Sequence, residues 1–485
     1  MADEQTKPSW WQSEDWLAVG LGSLLFLLSL LSLAGIDVFG WAVKTNVWTA
    51  PAQIMTPLSR AYSGLPSFVP LLLTYLFLMA ILTAGVRRWG GSAPKFAQGF
   101  TVVFFLSYLC YAAGNFAYIA ATANELKQFG IGWSLNLTGE AGYMIALFAG
   151  LLMGNFAPRL ARFMQEAIRP ELYIKTAIVL LGAGLGVKSA EKLGLASAVM
   201  FRGICAIVEA YLIYWALVYF VARRYFGFSR EWAAPLASGI SICGVSAAIA
   251  TGAAIRARPV VPIMVSSLVV IFAVVELIFL PFVAQRFLHA EPMVAGAWMG
   301  LAVKTDGAAV ASGAIADALI RAKALATTGV PYAEGWVRDT ATTIKIFIDV
   351  FIGIWSFILA AIWCSKIEPR AGQTVRVVEI WERFPKFVLG YVLTFLVLLL
   401  LCVTAPDRLN AAKAATAGTD TFRVLFFGLT FFSIGVVSNF RKLWQEGIGR
   451  LAAVYLVCLF GFIIWIGLLI SWLFFHGVKP PLANT

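Results

Sequence analysis

Charge is what this sequence has least of. Only 13% of its 485 residues are Asp, Glu, Lys or Arg, about half the share usual in soluble domains. Histidine is nearly absent: His289 and His476 are the only two, which argues against a His-based metal centre. The six cysteines, Cys110, Cys205, Cys243, Cys364, Cys402 and Cys458, are widely spaced and form no CxxC pair. Neither a disulfide framework nor a zinc site is indicated. There is no HExxH, GxSxG or P-loop, and "LGAGLG" at 181–186 does not continue as a dinucleotide fingerprint. Hydrolase and ATPase chemistry therefore lack their motifs, and the expectation is a non-enzyme without cofactor or metal.

What is present is hydrocarbon. The hydrophobic share is 60% and the mean hydropathy is +0.83. Uncharged runs recur at 16–36, 67–86, 232–255 and 451–475, each long enough to cross a core of roughly 30 Å as a helix. Barrel strands would be about ten residues and alternating. The expected fold is all-α: a polytopic membrane protein with about thirteen transmembrane segments. The leading "MADEQTKPSWWQSED" is more acidic than basic, and Trp10, Trp11 and Trp16 suit an interfacial belt, so the first run reads as a retained helix.

The net charge of +12 does not imply nucleic acid. Clusters such as Arg87, Arg88 and Lys95, or Arg441, Lys442 and Arg450, punctuate the apolar runs, as expected of loops beside anionic lipid headgroups. The cluster Lys366, Arg370, Arg376, Arg383 and Lys386 tips the balance towards a cytoplasmic N-terminus. Residues 37–66, with several prolines and Trp41 and Trp48, read as a loop along the interface, and "VRVVEIWERF" (375–384) as a short surface helix.

Two short stretches resemble each other. "SICGVS" (241–246) and "SIGVVS" (433–438) each fall in the fourth apolar segment of a run of five. Five is odd, so the runs would enter the membrane from opposite sides, and inverted repeats place substrate sites on discontinuous helices near mid-membrane. The expected blocks are a three-helix extension at 1–122 and five-helix repeats at 139–285 and 292–476. Ser238, Gly239, Ser241, Cys243, Gly244 and Ser246, and likewise Ser433, Gly435 and Ser438, pack poorly against lipid but suit a helix break. A break exposes N–H groups that can hold an anion. The competing reading is close packing of small residues between helices.

Ionisable residues inside apolar segments are the second signal, because they normally face a cavity or a partner. Lys304 and Asp306 lie in mid-span, and Lys345 and Asp349 lie four apart on one helix face. Lys304 reads as an anion ligand, while Asp306, Lys345 and Asp349 read as coupling or charge-balancing groups. Glu209 and Glu276 read as structural.

With these stretches in view, the chain resembles the sulfate exporter family of YeiH-like bacterial membrane proteins. "LLGAGLGVKSAEKLG" (180–194), "ASGISICGVSAAIA" (237–250), "AGAWMGLAVKTDGAAVASGAIAD" (295–317) and "FFSIGVVSNFRKL" (431–443) carry the likeness over roughly 140–475. More distantly it is similar to bile-acid symporters and cation–proton antiporters, with five-plus-five inverted repeats and crossing broken helices. The resemblance implies a secondary transporter exporting a small anion, sulfate or a related sulfur oxyanion or sulfonate, across the inner membrane. Protons are a candidate coupled ion, lipid is the surrounding partner, and assembly into homo-oligomers is left open. A cation–proton antiporter and a non-transporting receptor or scaffold are the alternatives. The extension before 122, the Lys304-Thr305-Asp306 sequence and the 321–339 insert depart from shorter members.

Overall fold

Apolar runs of this length bury their backbone polar groups most simply as helices, and among the described residues the long apolar runs are helical, two of them with an interruption. The computed structural model describes residues 13–121, 125–135, 141–191, 193–258, 260–367, 381, 385–438 and 449–483. The expected surface helix at 375–384 lies outside the described residues, apart from Trp381, as does the side chain of Ser246.

In chain order the main helices are α1 (Glu14–Leu30), α2 (Val69–Arg88), α3 (Ala93–Gly114), α4 (Ala141–Phe156) and α5 (Pro170–Glu191). There follow α6 (Ala198–Arg224), α7 (Arg230–Ser241), α8 (Val245–Ala254), α9 (Val260–Leu288) and α10 (Pro292–Ala302). The last are α11 (Asp306–Thr328), α12 (Trp336–Ile367), α13 (Phe387–Thr404), α14 (Leu409–Val437) and α15 (Gly449–Phe475). Among the described residues ten helices are long and apolar enough to cross a bilayer. The number is eleven when α4 and the sharply bent Pro158–Ala167 count as one span. That is fewer than thirteen because two expected segments, 233–255 and 293–319, are each cut into two helices.

The helices cluster into two compact units. The first holds α1–α5, α13 and α14; the second holds α6–α12 and α15. Each unit draws its helices from more than one of the expected sequence blocks.

In the first unit the chain is tied at the helix starts. Ser13 caps α1, accepting from the Trp16 N–H at 3.3 Å. Asp15 in its first turn takes the Lys175 ammonium at 2.9 Å and the Lys386 N–H at 2.8 Å, so the starts of α1, α5 and α13 meet at one carboxylate. The 37–66 connection forms a small hairpin, β1 (Val43–Thr45) against β2 (Met55–Pro57). It is docked by Val43 N–H on the Thr74 hydroxyl at 2.9 Å and by the Trp48 indole on the Ala112 carbonyl at 2.7 Å.

Through Val437 the break expected at 433–438 is absent. α14 runs unbroken from Leu409 to Val437, so the amides of 433–437 serve the helix and not an anion. The small residues there permit close packing. A Cβ on Gly435 would collide with the Leu147 carbonyl and lie 2.7 Å from the Leu151 nitrogen, and one on Gly150 would strike the Phe432 carbonyl. Backbones of α4 and α14 touch at this crossing, the small-residue contact familiar in membrane helices.

Candidate functional site

Glu209, Glu276, Lys304, Asp306, Lys345 and Asp349 all belong to the second unit, where two helices are interrupted. α7 stops at Ser241, and Ile242 (φ −106°, ψ −97°) leaves the helical region. Gly244 follows at φ +68°, ψ −105°, a conformation that side chains with a Cβ rarely adopt, and α8 begins at Val245. The break expected within 238–246 is therefore present.

The second interruption lies elsewhere than expected. α10 ends at Ala302, Val303 and Thr305 are extended, and α11 starts at Asp306. Its signal was in the sequence: Thr305 is an N-cap, its hydroxyl accepting from the Ala308 N–H at 3.2 Å, with an acid and a glycine next. The two breaks abut. A Cβ on Gly244 would come within 3.0 Å of the Thr305 methyl and 3.4 Å of the Lys304 carbonyl.

Helix ends of this kind leave carbonyls without intrahelical donors and carry partial negative charge. Lys345, wholly buried on α12, answers both. Its ammonium donates to the Ile242 carbonyl at 2.7 Å and to the Lys304 carbonyl at 3.1 Å, with the Val303 carbonyl at 3.5 Å. Three N–H donors meet three carbonyls drawn from both breaks. The Asp306 carboxylate stands 4.0 Å from the same ammonium. As the first residue of α11 it sits where the helix dipole favours an anion. Lys345 is thus more than the partner of Asp349 that their spacing suggested.

Sequence spacing pointed to no metal site, yet the fold gathers a donor set from three separate segments. The Cys243 sulfur and one carboxylate oxygen each of Asp306 and Asp349 lie within 4.8 Å of one another, all buried. A thiol and two carboxylates can hold a cation or a proton.

Lys304 points the other way from its own carbonyl's partner. Its ammonium donates to the Leu301 carbonyl and lies 4.4 Å from the centre of the Tyr214 ring, a cation–π contact. Its backbone N–H, freed by the break, donates to Glu276 at 3.1 Å, and the Tyr455 hydroxyl donates to the other oxygen of that carboxylate at 2.6 Å. Glu276 is therefore the group that satisfies the α10–α11 break from α9, a role that no local pattern in α9 announces.

The remaining expected residues divide plainly. Ser238 accepts from the Trp215 indole at 2.9 Å and the Thr251 hydroxyl at 2.7 Å, bracing α7 against α6 and α8. Gly239 packs on Val265. Ser241 is buried, and its hydroxyl has no hydrogen-bond partner among the described residues. Ser433 and Gly435 belong to the first unit, and Ser438 is the buried residue after the end of α14.

Comparison with known proteins matches residues 116–454 to the family model described as Conserved hypothetical protein 698. The chain is 42% identical over 475 residues to a UPF0324 membrane protein of Nitrosomonas europaea, covering 97% of each chain. It is 30% identical to a UPF0324 membrane protein of Nitratidesulfovibrio vulgaris, over 91% of this chain and 68% of that one. For a UPF0324 membrane protein of Rhodopirellula baltica the identity is 29%, over 86% and 68%. No solved structure matches.

Proposed function

This chain belongs to the Conserved hypothetical protein 698 family of UPF0324 membrane proteins, and from that premise we propose that it is a proton-coupled secondary transporter of a small anion. The observation that carries the reading is the Lys345 ammonium seated on carbonyls from two broken helices, with Asp306 and Asp349 beside it. A site made of two interrupted helices and an internal counter-ion is the arrangement by which ion-coupled transporters expose a mid-membrane site. The resemblance to sulfate exporters makes sulfate, a related oxyanion or a sulfonate the first substrates to test. The setting is the bacterial inner membrane, with the N-terminus in the cytoplasm.

The charge balance bears on coupling. Around the breaks stand four buried carboxyl groups, Glu209, Glu276, Asp306 and Asp349, against two ammonium groups, Lys304 and Lys345. Both ammonium groups already serve carbonyls. An arriving dianion meets a net negative environment unless carboxylates take up protons, so anion and protons move together. A dianion leaving alone would gain about 2.3 kcal/mol per charge per 100 mV of inside-negative potential; a proton-laden one gains less, and uptake becomes feasible.

The test is sulfate, sulfite, thiosulfate and sulfonate flux in proteoliposomes with the potential clamped. A proton gradient should drive flux, and Asp306→Asn should abolish its pH dependence while leaving anion binding measurable. Flux that follows potential and ignores the proton gradient overturns the coupling. A second reading, cation–proton exchange, is favoured by the Cys243–Asp306–Asp349 donor set. It predicts proton movement driven by alkali or divalent cations in vesicles without any sulfur anion. A scaffold predicts no flux in either assay.

A further inference from the structure

Among the four buried acids around the breaks, Glu209 stands apart. It opens a π-helical stretch, Glu209–Tyr214, inside α6 and is wholly buried. Such insertions concentrate at functional sites, because they rotate one side chain out of the regular helical face. Neither carboxyl oxygen of Glu209 has a hydrogen-bond partner among the described residues. The Tyr214 hydroxyl shares its pocket: a Cβ on Gly467 would lie 2.7 Å from the Tyr214 oxygen and 3.5 Å from Glu209 Oε1. Yet that hydroxyl gives its proton to the Ile463 carbonyl, 2.7 Å away at the π-helical stretch of α15.

Glu276 offers the contrast. Both its oxygens accept hydrogen bonds, from Lys304 N–H and from Tyr455, which is the environment of a carboxylate. An ionised carboxyl without donors in a dry interior is costly, whereas the protonated acid fits there. The groups facing Glu209 are few. Tyr214 and Cys205 lie on its own helix, and Lys304 comes from the α10–α11 break. Beyond Lys304 stand Glu276 on α9, Tyr455 on α15 and Lys345 on α12. Lys304 is the cation seated on the ring of Tyr214, whose hydroxyl shares the Glu209 pocket, and it is held by one carbonyl and that aromatic face, contacts a carboxylate can replace.

We propose that Glu209 is a second proton-carrying site, separate from Asp306, and that Lys304 is the cation that holds its carboxylate once the proton leaves. The O–H bond of the acid breaks, the proton passes to water, and the Lys304 ammonium turns from the Leu301 carbonyl and Tyr214 ring to the carboxylate. The Lys304 peptide connects this centre to the first, since its N–H meets Glu276 and its carbonyl meets Lys345. Loss of either proton is thereby felt at the same break. The inference deepens the proton coupling proposed above. It is tested on protein without any transported ion, so a failure of anion flux and a failure of this site are separate results.

The experiment counts protons. Purified full-length chain in detergent, with no anion added, is stepped from acidic to alkaline pH against an indicator dye. Glu209→Gln, which keeps the shape of the neutral acid, should release about one proton fewer than the parent protein, and Glu209→Gln/Asp306→Asn about two fewer. Infrared difference spectra provide the second measurement. A carboxylic-acid band should vanish in Glu209→Gln and survive in Asp306→Asn. In Lys304→Gln the same band should persist to a pH at least about one unit higher, because the cation favouring the carboxylate is gone. Proton release by Glu209→Gln equal to the parent's, or a Glu209 band unmoved by Lys304→Gln, overturns the proposal.

Discussion

Residues 241–246, "SICGVS", and 433–438, "SIGVVS", are nearly the same peptide, and they do opposite things to a helix. The first interrupts the α7–α8 segment; the second ends an unbroken α14. Small residues make a helix easy to break and easy to pack, and neither outcome is written in the hexapeptide. What decides is the partner. At 241–246 an ammonium arrives from α12 to take the Ile242 carbonyl, and the second break lies against Gly244. At 433–438 what arrives is another glycine-bearing helix, α4, whose backbone needs the space that Gly435 leaves open.

Removing that ammonium should give the largest effect. Lys345→Met leaves carbonyls of both breaks without this donor and removes the ammonium 4.0 Å from Asp306, the situation in which deleting one member of a buried ionic set costs roughly 3–5 kcal/mol. The expected result is a steep loss of thermal stability in detergent and of folded yield. A near-wild-type melting curve would mean that the breaks persist without their counter-ion, and the comparison would fail at its root.

Next come the two glycines. Gly435→Ala places a Cβ against the α4 backbone and should destabilise by about 1–3 kcal/mol through overpacking, with the helix still continuous. Gly244→Ala should cost a similar 1–3 kcal/mol for a different reason, strain at a positive φ. Amide exchange separates them. Slow exchange at 433–436 in both proteins, with Gly244→Ala speeding exchange at 242–244 alone, is the expected pattern, because the Ile242 and Gly244 N–H groups donate to Ser238 and Gly239 in the parent protein. Uniform protection through both stretches in Gly244→Ala would erase the distinction.

The smallest contrast is between two serines. Ser238→Ala strands the Trp215 indole and the Thr251 hydroxyl and should cost about 1–2 kcal/mol. Ser433→Ala removes a hydroxyl without a hydrogen-bond partner among the described residues and should change stability by less than about 0.5 kcal/mol. Melting temperatures of the two variants side by side check this, and equal losses would show that Ser433 has a role like that of Ser238.

Much of the site was legible. Ionisable residues in mid-span announce themselves because hydrocarbon tolerates them only with a partner, so Lys304, Asp306, Lys345 and Asp349 stood out by position alone. The partners were not legible. Lys345 and Asp349 are four apart on one helix, and local spacing suggests that they serve each other. In the fold Lys345 spends its donors on carbonyls about a hundred and about forty residues away in sequence. Glu276 and Glu209 look alike as single acids in apolar helices, yet one accepts from the Lys304 break and Tyr455 while the oxygens of the other have no hydrogen-bond partner among the described residues.

By itself the sequence determined the solvent, the helical class and the peptides able to leave the helix. Those follow from hydrophobicity, length and glycine content, which act residue by residue. The Thr305-Asp306-Gly307 start of α11 belongs in the same category, a local capping signal. Only the tertiary structure decided which small-residue peptide broke, which acid met donors, and that Cys243, Asp306 and Asp349 share one place. A freed carbonyl or a buried charge is tolerated only when some distant chain segment satisfies it, and that pairing exists in three dimensions alone.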